Sequence, residues 1–209
     1  MSLQGQSVTE IYAEGQRYFM GEGKLNNALE RLVADLKNHE IDYVVIGAIA
    51  LMAYGYPRFT EDIDVILTNE GLEELHRKMI ELGYVPAFKG SHKRLRSTLD
   101  GTPIEIIAAG EYPGDGKPKP VKFPNPYETS VEIDGVKFPT LEKLIELKLA
   151  SGMTAPDRLK DLADVQELIK IRGLSKDFAD KLNPYVREEY LSLLEAVRRG
   201  SSNNIEEHS

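Results

Sequence analysis

The chain contains no cysteine. That excludes disulfides, thiolate zinc sites and a cysteine nucleophile. Long apolar runs are missing too: no stretch reaches the roughly 20 apolar residues that a membrane-spanning helix needs. No secretory leader is visible, because residues 2–6 are polar apart from Leu3 and no apolar stretch follows them. A cytoplasmic location without membrane attachment is the expectation. Neither a Walker phosphate loop, nor GxGxxG, nor GxSxG occurs, so P-loop, Rossmann and α/β-hydrolase chemistry lack support. Positive charge is in deficit, with 26 Lys and Arg against 34 Asp and Glu and a net charge of −8. A broad, nonspecific grip on nucleic acid is therefore disfavoured. Local basic clusters remain at Lys89, His92, Lys93, Arg94 and Arg96, and at Lys117, Lys119 and Lys122. Such clusters are commonly solvated surface.

What is present is an ordinary globular composition, 41% hydrophobic over 209 residues. A weak helix is expected over residues 7–20. Leu25, Ala28, Leu29, Leu32, Val33 and Leu36 recur at helical spacing, which predicts a helix ending near residues 38–40. A buried strand over 43–46, a short helix over 47–54 and a second strand over 62–67 should follow. The apolar positions Leu72, Leu75, Met79, Ile80 and Leu82 mark a further helix closed by Gly83. Strands are expected over 84–88, 93–99 and 103–108. Residues 110–127 carry five prolines, three lysines and Gly114 and Gly116, which makes a long loop. Loops of that length are usually functional or disordered. Asp134-Gly135 between two apolar runs signals a hairpin. Thr140 should cap a helix to about residue 151. Three more helices are expected over 156–171, from Ser175, and from Pro184 to about Arg199. The four histidines show no metal-ligand spacing.

The chemistry centres on Asp62 and Asp64, one residue apart in a strand, so that both face the same side. Aspartate is depleted in strands. Two carboxylates side by side repel unless a cation lies between them. A hard divalent ion such as Mg²⁺ or Mn²⁺ suits such oxygen donors together with substrate phosphates. Glu105, framed by Ile104 and Ile106, is a third acid on another strand. Gly47 opens the turn before the short helix and could let backbone approach phosphate.

These residues carry a resemblance. Gly47-Ala48-x-Ala50 through Tyr54-Gly55, then Arg58-x-Thr60 and Asp62-x-Asp64, resembles the nucleotidyltransferase superfamily that shares its fold with DNA polymerase beta. Within it, the pattern looks most like the AbiEii-type branch, as does Lys148 followed by Arg158-x-Lys160-Asp161-x-x-Asp164. The likeness covers roughly residues 25–170.

It implies an α/β (α+β) fold: a mixed β-sheet with helices on one face, then a C-terminal helical bundle. The divisions would be a helical extension over 1–24, the nucleotidyltransferase-fold domain over 25–139, helices over 140–199 and a disordered tail over 200–209. It further implies transfer of a nucleoside monophosphate from an NTP to an acceptor hydroxyl, with release of pyrophosphate. Asp62, Asp64 and Glu105 would be the catalytic and metal-binding acids, and Glu105 could also serve as base. Gly47, Ala48, Arg58, Thr60, Lys148, Asp161 and Asp164 would bind or orient the nucleotide.

Two other readings stand beside this one. The family's second glycine or serine is Ala48 here, which removes a hydroxyl and fits a non-catalytic nucleotide-binding or protein-interaction module. The branch also includes toxins of toxin–antitoxin pairs. A tRNA acceptor and an antitoxin partner would then be expected, with Lys93, Arg94 and Arg96 on the RNA.

Overall fold

The computed structural model describes residues 23–206. The helix expected over 7–20 lies outside them. Helix α1, Lys24–Asn38, buries the apolar stripe read from the sequence, from Leu25 to Leu36. Strand β1, Tyr43–Val45, is buried throughout. Helix α2, Gly47–Ala53, follows at once. Strand β2 is Ile63–Leu67. Helix α3, Asn69–Met79, is capped by Thr68, whose side chain accepts from the Gly71 amide. Strands β3, Tyr84–Pro86, β4, Arg94–Ser97, and β5, Pro103–Ala108, complete the sheet.

The strand order is β1-β2-β5-β4-β3. Only the β2–β5 pairing is parallel; the other three are antiparallel. The sheet is therefore mixed. Period-two alternation sorts its two faces. Tyr43, Val45, Ile63, Val65, Ile104 and Ile106 join α1 and α3 in one large apolar core. Val44 and Ile66 face the other way and are met by Ile107, Ala109 and Phe123 instead. Asp64 and Glu105 alternate onto this helix-free side.

Strands β6, Ser130–Ile133, and β7, Val136–Pro139, form a separate hairpin. Its turn holds Asp134 at φ 49° and Gly135 at φ 79°, the paired left-handed conformation that the Asp-Gly signal anticipates. Thr140 then caps α4, Leu141–Thr154, by accepting from the Lys143 amide. A 3₁₀ turn, Pro156–Arg158, leads into α5, Leu159–Arg172, which ends at left-handed Gly173. The helix expected from Ser175 is a 3₁₀ segment, Lys176–Lys181. Helix α6, Pro184–Glu206, runs on past the residue 199 end read from the sequence. A lone helical glycine costs about 1 kcal/mol, too little for Gly200 to stop a helix anchored upstream. The same large core takes in Leu149, Val165, Leu168, Val186 and Tyr190 from these helices. No helix of the described residues is long and apolar enough to cross a membrane.

Candidate active site

A cleft of about 740 Å³ lies between the helix-free face of the sheet and the helices after Thr140. Gly47, Ala48, Arg58, Thr60, Asp62, Asp64, Glu105, Lys148 and Asp161 all line it. Nine of the ten residues singled out in the sequence therefore share one cavity. The tenth, Asp164, is 3% exposed and stands behind Lys148.

The acids are gathered by the sheet. Asp64 on β2 lies opposite Glu105 on β5 in the parallel register. Asp62 is not in the strand; β2 begins at Ile63, and Asp62 occupies the bend before it. Its Oδ1 accepts from the Thr60 hydroxyl, a local bond of the kind that draws aspartate out of ladders. That gives Thr60 a definite role: it orients Asp62.

The Gly47 turn is shaped around Asp64. Gly47 has φ 68°, and a Cβ built there would lie 2.0 Å from Asp64 Oδ2. The Ile46 amide donates to the Asp64 carbonyl at 2.9 Å, which ties the turn to β2. Ala48 is not among the residues with left-handed backbone. Alanine at position 48 therefore carries no backbone strain.

Burial, and then the charges of Asp62 and Glu105, push the Asp64 carboxyl up to about 7; Lys148 and Arg158 pull it down without cancelling this. Glu105 leans towards Arg94, with Oε1 and Nη2 3.6 Å apart and both side chains well exposed. Among the described residues, no three His, Cys, Asp or Glu side chains are drawn into a ready ion cage. Asp62 and Asp64 nevertheless suit a hard divalent cation. They offer only oxygen donors, they repel one another, and Asp64 Oδ2 is held in the space that the missing Gly47 side chain leaves.

The opposite wall carries Lys148, Arg158 and Lys160 together with Asp157 and Asp161. Lys148 is 7% exposed, so it is not a solvated surface lysine. Its Nζ donates to Asp161 Oδ1 at 2.9 Å and to Asp164 Oδ2 at 2.7 Å. Ser151 donates to Asp161 Oδ2 at 2.7 Å. Arg58 Nη1 donates to Asp164 Oδ2 at 2.8 Å. One carboxylate oxygen therefore ties a cation in the β2 approach to a cation on α4. Burial raises the Asp161 carboxyl, but the Lys148 charge and hydrogen bond, Ser151 and Arg158 outweigh it and hold it below its ordinary value. Arg158 and Lys160 are exposed and line the cleft rather than pairing with Asp161 and Asp164.

The loop over 110–127 supplies the remaining wall through Glu111, Tyr112, Pro113, Gly114 and Phe123. None of these was singled out in the sequence as a site residue. Their only signal was the length of the loop. Ser151 was missed as well, although it lies three residues after Lys148 and so on the same helical face. Lys119, grouped in the sequence with solvated lysines, has a side chain only 5% exposed. It donates to the Pro113 carbonyl at 2.6 Å, to Asp115 at 2.5 Å and to Thr154 at 3.2 Å.

No protein-family model matches the chain, and no curated protein matches it in sequence. Among solved structures it is similar to the crystal structure of ANT(2″)-Ia in complex with adenylyl-2″-tobramycin. Identity is 15%, over 84% of this chain and 97% of that one, with a TM-score of 0.50. The solution structure of the same antibiotic-resistance factor gives 16% identity, 86% and 94% coverage and a TM-score of 0.48. A nucleotidyltransferase-like antigenic protein from Paracoccidioides brasiliensis gives 17%, 69%, 75% and 0.45. At these identities the likeness is one of fold: a mixed sheet with helices, in the arrangement of nucleotidyltransferases.

Proposed function

We propose that the cleft transfers a nucleoside monophosphate from an NTP to a hydroxyl of an RNA, protein or small-molecule acceptor, releasing pyrophosphate. The observation that carries this reading is the opposition of two walls. Asp62, Asp64 and Glu105 come from the sheet side, beside Lys93 and Arg94, and Lys148, Arg158 and Lys160 from the helices after Thr140, beside Asp157 and Asp161, and all line a single cavity. Phosphoryl transfer asks mainly for positioning and charge neutralisation, and these walls supply both.

In this scheme Asp62 and Asp64, with Glu105, would hold Mg²⁺ or Mn²⁺. Such an ion, when bound, neutralises triphosphate charge and makes the acceptor hydroxyl more acidic. Lys148 offers a point charge to the phosphates, kept in place by Asp161 and Asp164. Arg158 and Lys160 extend that surface to the cleft mouth. Gly47 leaves the room that the Asp64 carboxylate occupies, and Arg58 and Thr60 hold the β2 approach that presents Asp62. The acceptor oxygen attacks the α-phosphorus. The bond from that phosphorus to the β-phosphate bridging oxygen breaks, and Glu105 is placed to take the hydroxyl proton. The meeting of Lys148, Arg158 and Asp161 at one cleft, with Asp164 behind Lys148, also supports assignment to the AbiEii-type branch.

The test is calorimetric titration of the full chain with each NTP, with and without Mg²⁺. Mg²⁺-dependent binding that disappears in Asp62→Asn/Asp64→Asn supports the reading. Binding that is absent, or indifferent to both metal and mutation, removes it.

A further inference from the structure

A second cavity, of about 410 Å³, adjoins the first. Asp62, Glu105 and Arg94 line both cavities, whereas Lys148 and Arg158 line only the first and Arg96 only the second. The carboxylates thus stand between two differently furnished spaces. We propose that the second cavity is the acceptor site, and that it takes a hydroxyl compound carrying a phosphate group. This rests on the transfer reading above and names its second substrate.

The furnishing follows from strand alternation. On β4, Leu95 and Ser97 are buried while Arg94 and Arg96 are exposed, so both guanidinium groups emerge on the helix-free face. Arg94 lies opposite Glu105 in the β4–β5 register, and Arg96 lies one step outward, opposite Pro103. Both arginines are only partly engaged. The Arg94–Glu105 contact is loose at 3.6 Å, and the Arg94 side chain is 65% exposed. Arg96 donates to the Ala87 carbonyl at 2.9 Å, which uses one of a guanidinium's five donors. Two adjacent forks of this kind match phosphate oxygens, and Lys would not reproduce that geometry. A cationic acceptor would meet like charge there. An uncharged one would leave both forks idle.

An acceptor seated this way points its hydroxyl at Asp62 and Glu105 and its phosphate outward at Arg94 and Arg96. The NTP enters from the first cavity. The new bond joins acceptor oxygen to the α-phosphorus, pyrophosphate leaves on the Lys148 side, and the acceptor's own phosphate is unchanged. That phosphate could be a diester at a polynucleotide end or a monoester on a free sugar. Both present the same oxygens to the arginines.

The test is binding by the full chain in saturating Mg²⁺ and a non-hydrolysable NTP analogue. Probes are a diadenosine dinucleotide with a free 3′ hydroxyl and a hexose 6-phosphate. Each is run against its unphosphorylated counterpart, adenosine or hexose. At least one phosphorylated probe should bind about 10- to 100-fold tighter than its counterpart. Arg96→Gln should erase that preference and leave NTP affinity unchanged. Preference for the dinucleotide identifies a polynucleotide end; preference for the hexose phosphate identifies a small metabolite. Equal or absent binding of all four probes, or a preference that survives Arg96→Gln, overturns the proposal. Loss of NTP binding itself would instead count against the transfer reading.

Discussion

Asp64 occupies the place where a side chain on Gly47 would be, with Oδ2 2.0 Å from the position of a Cβ. Turn and acid are one unit, and neither can change alone. Gly47→Ala must move the carboxylate and also hold alanine at φ 68°. The expected loss is about 1–3 kcal/mol of stability. Transfer should fall at least about 100-fold, because misplacing a catalytic group by an ångström costs that much. Ala48→Ser, next door, should keep the wild-type melting temperature. Thermal denaturation and initial rates of the two variants check this.

Metal-free stability should carry the mark of Asp64. Its folded carboxyl titrates at about 7 against an ordinary 3.8, so between these values the folded chain holds a proton that the unfolded chain has lost. Stability must therefore fall as pH rises through this window, by at most about 4 kcal/mol. Asp64→Asn has no such titration. In chelator it should be more stable than wild type at about pH 8, with the difference closing near pH 4. Added Mg²⁺ should restore wild type at the higher pH and leave the variant nearly unchanged. Urea denaturation across pH measures each of these.

Lys148→Met should be damaging in two separable ways. It leaves Asp161 and Asp164 buried without their ammonium, which costs about 3–5 kcal/mol. Asp161, held below its ordinary value, contributes stability that is present above the unfolded pKa and lost as pH falls through the folded one. The variant should therefore lose part of wild type's decline in stability at strongly acidic pH. NTP affinity should drop in the same variant by calorimetry at a temperature where it is folded.

The loop wall is pinned through Gly114 and Lys119. A Cβ on Gly114 would lie 2.3 Å from Thr154 Oγ1 and 2.8 Å from the Ser151 carbonyl. Gly114→Ala should push Tyr112 and Pro113 away from α4. A higher KM for NTP with a smaller change in kcat is expected. Lys119→Met should show the same KM shift, since it removes the bonds that fold the loop on itself. Steady-state kinetics of both variants decide.

The elements read from periodicity fell close to their places: α1 from its apolar stripe, the hairpin from Asp-Gly, α4 from the Thr140 cap. Local patterns suffice there, because the causes are local. The grouping of residues in one cleft was legible where a motif carried it, in Gly47, Asp62, Asp64 and Lys148. It was illegible where long-range contact decides. Asp164 reads like its neighbour Asp161 in sequence, yet only the packing of α5 on α4 sets it behind Lys148 rather than in the cleft. Lys119 reads like Lys117 and Lys122, yet Thr154 and Pro113 enclose it. Strand β2 begins one residue later than alternation alone predicts, because Thr60 captures Asp62.

The central claim is transfer chemistry at the Asp62–Asp64 cleft. The most direct measurement incubates the chain with each α-labelled NTP, Mg²⁺ or Mn²⁺, and RNA and protein extracts as acceptors, beside Asp62→Ala/Asp64→Ala. Label fixed to one acceptor class, dependent on metal and absent from the double variant, is the predicted result. No label from any NTP, or label undiminished in the variant, would contradict it.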